Sequence, residues 1–431
     1  MKIKFFAFAI LFAFSSAIAF GQSPVVVITG SDDAVSKRTA SFEKVWNTIN
    51  ERHYDPTFGG VDWKRIREQY EPLAKKAATD DELHTILRKM LGELKLSHFG
   101  IYPKNLTAEQ IIRETGYAGI DIIMIDGLPV VNRVDSGSPA AATGIMPGFV
   151  LTKIDGQFSS EILKVFDKSL DGRAITDAVR KIYRERHLEA KLNGKPGTDL
   201  FVEMVGEKDS PLSFLIKRVQ FTGQMSQPFG NFPSQQVHFE SKRLAPDIGY
   251  IRFNMWIMPQ MSKLRTAVRE LSDAKALIID LRGNPGGIGG MAPGLAGLML
   301  NEQKSLGTMR TRDSSMDFIA FPQRDPFAGK VVILTDHGTG STSEVFAGGM
   351  QDIGRGTIVG EPTAGGVLPS VFDTLPTGAL FQYAVSDYRT PKNVLLEGRG
   401  VSPDITIAQT RKALLAGGDR QLERAIELIR K

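Results

Sequence analysis

Val331-Val-Ile-Leu-Thr-Asp-His-Gly-Thr-Gly-Ser-Thr-Ser-Glu-Val-Phe-Ala-Gly-Gly-Met-Gln351 is the stretch around which the rest of the chain is organised. Its apolar run, Val331 to Leu334, predicts a buried strand. A Gly-rich turn follows, and from Ser341 onward the residues suit a helix, with Phe346 and Met350 four apart on one face. Glycines let the backbone bend sharply, and a helix N-terminus offers unpaired N–H groups and a partial positive charge. A small hydroxyl residue at that junction is well placed to be a nucleophile. The same residues also read as a helix cap, with Ser341 or Ser343 capping and Glu344 closing a capping box around Ser341. The stretch by itself leaves both readings open.

The chain has 431 residues, enough for two or three domains, and is 42% hydrophobic and 23% charged, an ordinary globular balance. It begins Met1-Lys-Ile-Lys-Phe-Phe-Ala-Phe-Ala-Ile-Leu-Phe-Ala-Phe and runs on to Ala17-Ile18-Ala19, a short basic start, an apolar core and small residues. That is the pattern of a secretory signal peptide over residues 1–19, too short in its apolar part to span a membrane comfortably. Export, to the periplasm or the extracellular space, is the expectation. Loss of Lys2 and Lys4 lowers the formal net charge from +5 to +3, too little to argue for nucleic acid. With no cysteine, disulfides, a thiol nucleophile and a cysteine-linked lipid anchor are excluded. No stable membrane anchor is expected after signal cleavage, and the oligomeric state is open.

Gln22 to about Ser36 reads as an extended lead-in. A helical N-terminal domain follows, over about residues 36–105. Phe42, Val45 and Ile49 form one apolar stripe, and Leu83, Ile86, Leu87, Met90 and Leu91 another, joined by the turn-rich connector His53 to Trp63. From about Gly116 the pattern changes to a small Gly-containing loop, an apolar strand to Ile125, and a second strand from Leu128. Then come a Ser138-Pro-Ala-Ala helix start, a Gly-x-x-x-Gly turn, a strand, and a hairpin from Leu200 to Arg218. In order and spacing these parts resemble a PDZ domain, placed over residues 112–219. The resemblance implies a bound peptide added as a strand, with the loop Gly116, Tyr117, Ala118, Gly119 and Ile120 holding its terminal carboxylate. Residues 220–431 alternate buried strands (Gly249 to Phe253, Ala276 to Arg282, Val331 to Leu334, Thr357 to Glu361) with helices, among them a helix-like Leu295 to Leu300. That pattern predicts an α/β core.

Within that core, Asp280-Leu-Arg-Gly-Asn-Pro-Gly-Gly-Ile-Gly-Gly290 follows a strand. As a dinucleotide loop it fits loosely, with no acidic residue closing a second strand, and a Walker Gly-Lys-Ser/Thr is absent. As an oxyanion loop it fits better, since glycine N–H groups can approach a carbonyl closely. Asp280-Leu-Arg-Gly-Asn-Pro-Gly-Gly287, Ser341-Thr-Ser-Glu344 with Ala347-Gly-Gly-Met-Gln-Asp352, and Gly360-Glu-Pro-Thr363 resemble the tail-specific, or C-terminal-processing, serine peptidases. The resemblance runs from about residue 40 to 405. It implies a multi-domain α+β chain: a helical N-terminal domain, a PDZ-like domain and a ClpP/crotonase-like α/β protease core. It further implies Ser341 as nucleophile, an oxyanion hole from the N–H groups of Gly287 and Thr342, and no cofactor.

One departure bears on the base. Where the best-known branch carries a lysine and a glutamine, this sequence has Gly366 and Ser370, so a Ser–Lys dyad from this motif is ruled out. A serine hydroxyl still needs a base, and of the six histidines His98 and His337 are the candidates. Ser97-His98 resembles the tricorn-core branch, whose base is a histidine after a serine. That branch orients its base with a glutamate near the chain end, here Glu397 in Leu395-Leu-Glu-Gly-Arg-Gly. The expectation is a Ser341–His98–Glu397 triad with Ser97 as an accessory member, and His337 as the second candidate base. Glu344 and Glu361 are rival carboxylates, and Asp280 and Arg282 are expected to brace the Gly loop. No metal-ligand spacing is present.

The function expected is an exported serine endopeptidase that takes unstructured polypeptides or C-terminal tails, recruited by the PDZ-like module. The alternative is a non-catalytic binding protein for a peptide or small hydrophobic ligand on the same scaffold. A PDZ adaptor leaves the α/β half unexplained.

Overall fold

The computed structural model describes residues 32–102, 104, 115–170 and 175–431. The signal-peptide segment lies outside them.

The predicted lead-in is helical from Asp32, because Asp32 and Asp33 in the first turn complement the helix dipole. The helices Asp32–Arg52, Trp63–Lys76 and Asp80–Gly92 bury the two predicted stripes against each other. Trp46 Nε1 donates to the Trp63 carbonyl at 3.0 Å and Trp63 Nε1 to the Trp46 carbonyl at 3.2 Å, pinning the first two helices across the turn-rich connector. Their core is not self-contained. It is shared with Leu375, Ala379, Phe381 and Tyr383, which come from a hairpin of the distant second half. A short strand, Gly100–Tyr102, pairs antiparallel with that hairpin (Gly100 opposite Gln382), so the segment just before it is tied to the core.

The middle unit is a twisted antiparallel sheet in the order Ile120–Ile125, Leu128–Val134, Val150–Ile154, Asp199–Val205, Pro211–Lys217, with Ile120–Ile125 at one edge. Pro139–Ala142 is a single helical turn capped by Ser138. Two helices absent from the sequence reading, Ser159–Ser169 and Asp177–Leu192, complete the unit, and the second packs on the edge strand.

The second half is built on a six-stranded sheet in the order Phe239–Ala245, Ile248–Phe253, Ala276–Asp280, Lys330–Thr335, Thr357–Gly360, Ile405–Thr406. Every pair after the first is parallel. Parallel strands are covered on both faces, and Ala276–Asp280 is buried at every position. Helices Met258–Glu270, Met291–Ala296 and Thr342–Asp352 cover one face, and Arg420–Arg430 the other. The helix placed at Leu295 to Leu300 runs instead from Met291 to Ala296. Asp280 lies opposite Leu334, so the loops leaving these two neighbouring strands emerge side by side at their C-terminal ends.

Candidate active site

Ser341 sits at the N-terminus of helix Thr342–Asp352, fully buried, with φ 58° and ψ −117°. A side-chain residue in this region is strained by roughly 1–3 kcal/mol and persists only where its surroundings over-determine it. Glu344 is one determinant. Its Oε2 accepts from the Ser341 N–H at 2.7 Å and the Gly366 N–H at 3.2 Å. Its Oε1 accepts from the Gly365 N–H at 2.7 Å and from the Thr363 hydroxyl. Burial raises this carboxyl to about 7 against those four donors. The capping-box geometry and a forward-facing Ser341 hydroxyl therefore coexist.

The second determinant is the Gly loop. Gly286 has φ 103°, and a Cβ there would lie 2.6 Å from Ser341 Cβ; Gly287 has φ 140°, and a Cβ there would strike the Trp256 carbonyl. Thr342 Oγ1 donates to the Gly287 carbonyl at 2.9 Å, which aligns the two chains. Among the described residues, the N–H groups of Gly287 and Thr342 have no acceptor. Asn284, fully buried, accepts the Gly286 N–H at 3.1 Å and donates to the Phe253 carbonyl at 2.9 Å. Ser343 is spent on bracing: it accepts Trp256 Nε1 at 2.8 Å and donates to the Asn284 carbonyl at 3.1 Å. Asp280 is buried and takes Arg282, Arg252 and the Tyr250 hydroxyl. Burial opposes its charge, but the two guanidinium groups hold its carboxyl far below the usual range. It braces the loop from beneath.

His98 arrives from the other end of the sequence. It follows helix Asp80–Gly92, has φ 60°, and leads directly into the strand paired with the core. His53, from the connector, stacks on the next residue, Phe99, with ring centroids 5.6 Å apart. His98 Nε2 lies 3.4 Å from Ser341 Oγ. Its Nδ1 is 2.6 Å from Ser97 Oγ, and Ser97 Oγ donates to Glu397 Oε2 at 2.9 Å. Glu397 also accepts the Ser97 N–H at 2.7 Å and the Val367 N–H at 2.8 Å. Because the Ser97 proton goes to the carboxylate, its oxygen accepts from Nδ1–H. The Nε2 lone pair then faces Ser341. Burial lowers His98 to about 3, leaving it neutral, and burial raises Glu397 against the bonds from Ser97 and Val367.

The carboxylate thus reaches the imidazole through Ser97, where the sequence reading had it hold the ring itself. His337 is turned away: its Nε2 is 2.7 Å from Glu185 Oε1 on helix Asp177–Leu192, and Glu361 stands 4.0 Å from its Nδ1. In the loop of residues 116–120, the Gly116 N–H goes to the Gly194 carbonyl and the Ala118 N–H to Asn193 Oδ1. Glu344 keeps the capping role its spacing predicts, whereas the roles of Gly286 and Asn284 are not predicted by the sequence. Only the glycine pair hinted at Gly286. No cluster of His, Asp or Glu fit to hold a metal occurs among the described residues.

Residues 247–407 match the model of peptidase family S41, and residues 35–92 match the tricorn protease C1 domain. The core thus carries a peptidase S41 domain. This peptidase is 24% identical over 440 residues to a carboxyl-terminal-processing protease of Synechocystis sp., covering 99% of this chain and 93% of the relative. It is 28% identical over 369 residues to a carboxy-terminal-processing protease of Bartonella bacilliformis, covering 82% and 74%. The fold is shared with a photosystem II D1 C-terminal processing protease (TM-score 0.58, 22% identity, 91% and 97% covered). It is also shared with the tricorn protease (TM-score 0.53, 19% identity), of which it spans 36%. The protein is a serine peptidase with polypeptide substrates, and the binding-protein alternative is not supported. No described helix is long and apolar enough to cross a membrane.

Proposed function

We propose that this peptidase is exported and cleaves unstructured polypeptides or C-terminal tails through an acyl-enzyme on Ser341. The observation that carries the assignment is the hydrogen-bonded line from Ser341 Oγ through His98 and Ser97 to Glu397. Ser341 Oγ attacks the scissile carbonyl while its proton passes to His98 Nε2. The imidazolium that forms keeps its Nδ1–H on Ser97, whose hydroxyl remains on the Glu397 carboxylate, so the negative charge stabilises the cation across one hydroxyl. The tetrahedral oxyanion takes the N–H groups of Gly287 and Thr342, which have no competing acceptor in the described structure. His98 then protonates the leaving amine, and water, deprotonated by the same nitrogen, releases the acid and restores Ser341. The middle unit, 112–219, acts as a PDZ-like module, and the core as a ClpP/crotonase-like α/β unit.

The test is labelling by a fluorophosphonate probe. Wild type is expected to label, and Ser341→Ala and His98→Ala to lose it. His337→Gln is expected to keep it. An unlabelled but folded wild type overturns the assignment.

A further inference from the structure

The edge strand Ile120–Ile125 of the middle unit is already occupied. Helix Asp177–Leu192 and its C-terminal cap place Glu185, Glu189 and Asn193 at four-residue intervals, which puts them along one face. Each accepts a backbone N–H from the edge strand or the loop before it. Asn193 Oδ1 takes Ala118 at 3.3 Å, Glu189 Oε1 takes Ile122 at 3.2 Å, and Glu185 Oε1 takes Met124 at 2.7 Å. These even-numbered groups point away from the sheet, where an added strand would offer its carbonyls. The side-chain oxygens therefore stand in the places of peptide carbonyls. Glu185 Oε1 has a second partner, His337 Nε2 at 2.7 Å, and His337 lies four residues before Ser341. Glu185 and His337 are both buried.

We propose that Glu185, Glu189 and Asn193 form an intramolecular competitor for the edge strand, which an extended polypeptide tail must displace rung by rung. The last rung, Glu185, is shared with the loop that carries Ser341. A tail that reaches Met124 exchanges its own carbonyl for Glu185 Oε1, and so loosens the contact that holds His337. The ladder is closed in the same conformation that brings Ser341 and His98 within 3.4 Å, so assembly of the site does not require a docked tail. The inference uses the peptidase assignment only for the kind of ligand, a polypeptide end.

Binding is read on the full chain carrying Ser341→Ala, which cannot cleave, with a fluorescein-labelled peptide that has an apolar, free C-terminus. Adding Glu189→Ala removes one rung and leaves the His337 pair intact. It should tighten binding roughly five- to tenfold, the worth of about one net hydrogen bond. Asn193→Ala, at a half-buried cap, should tighten it less. Amide hydrogen exchange of the Ser341→Ala chain with its ladder intact supplies a readout that needs no ladder variant. Peptide should slow exchange at Ile122 and Met124 and speed it over residues 336–340. Equal or weaker binding by both folded ladder variants, or exchange at Ile122 and Met124 untouched by saturating peptide, overturns the proposal. A wild type inert to fluorophosphonate but with a working ladder would overturn the peptidase assignment and leave this one standing.

Discussion

His98 and His337 are buried to nearly the same degree, 7% and 6% exposed, yet their surroundings leave one neutral and the other charged. His98 has the hydroxyls of Ser341 and Ser97 at its two ring nitrogens, and burial keeps it neutral, at about 3. For His337 burial pulls the same way, but Glu185 in contact and Glu361 and Asp336 nearby outweigh it and raise it to about 9. Burial sets the size of the stake and the neighbours decide its sign. A neutral imidazole beside a hydroxyl is a base; a cation clamped to a carboxylate is a strut. The carboxylate that serves His98, Glu397, is kept one hydroxyl away. This spares the ring a permanent proton while leaving a charge in reach when catalysis creates one.

The contrast can be broken most directly by exchanging roles. His98→Ala should lower kcat/KM on an unstructured peptide by on the order of 10⁴-fold, whereas His337→Gln should leave hydrolysis within about tenfold of wild type. The reverse pattern, measured by progress curves, would put the base on the wrong strand end. Ser97→Ala sharpens the comparison by severing Glu397 from the ring. A loss of about 10²-fold in kcat with little change in KM is expected, and a loss confined to KM would make Ser97 a binding residue. The acid limb of kcat/KM reports the free base, so it should fall well below pH 6.5, toward the His98 value of about 3. A limb centred near 6.5 contradicts a ring that burial holds neutral.

The smallest effect concerns the strut. Its folded value of about 9 lies above the unfolded value of about 6.5, so its stabilisation is complete below about 6.5 and is lost as pH rises through about 9. Wild-type Tm should therefore drop by a few degrees more between pH 6.5 and 9.5 than that of Glu185→Gln, read by calorimetry. Parallel curves would mean that the pair carries no charge.

Much of the fold was legible because periodicity is local. The stripes Phe42, Val45, Ile49 and Leu83, Leu87, Met90 lie where they were expected, as does the strand–turn–helix around Ser341. Helix Asp177–Leu192 leaves no clear apolar stripe in the sequence. Its exposed and buried positions are mixed with the polar residues Glu185 and Glu189, which are used for backbone capping and so blur the apolar stripe. The hairpin Ser370–Thr374 with Leu380–Ala384 is likewise not legible locally, since its apolar residues are buried by helices some 300 residues away in the sequence.

Within the site, the sequence by itself determined which chemistry was available. Gly366 in place of lysine removed an amine base, and the absence of cysteine removed a thiol. The Gly-rich loop and the Ser341 junction followed from backbone geometry that only those residue types tolerate. What only the tertiary structure decided was which groups meet. His98 and His337 are equally plausible as strings of letters, and His337 is far closer to Ser341 along the chain. Pairing of Gly100–Tyr102 with a core hairpin carries His98 across 243 residues of sequence to Ser341, while helix Asp177–Leu192 takes His337 for itself. Proton transfer depends on separations of a few ångströms and on which nitrogen faces which oxygen. Those quantities are fixed by long-range packing, on which local residue order is silent.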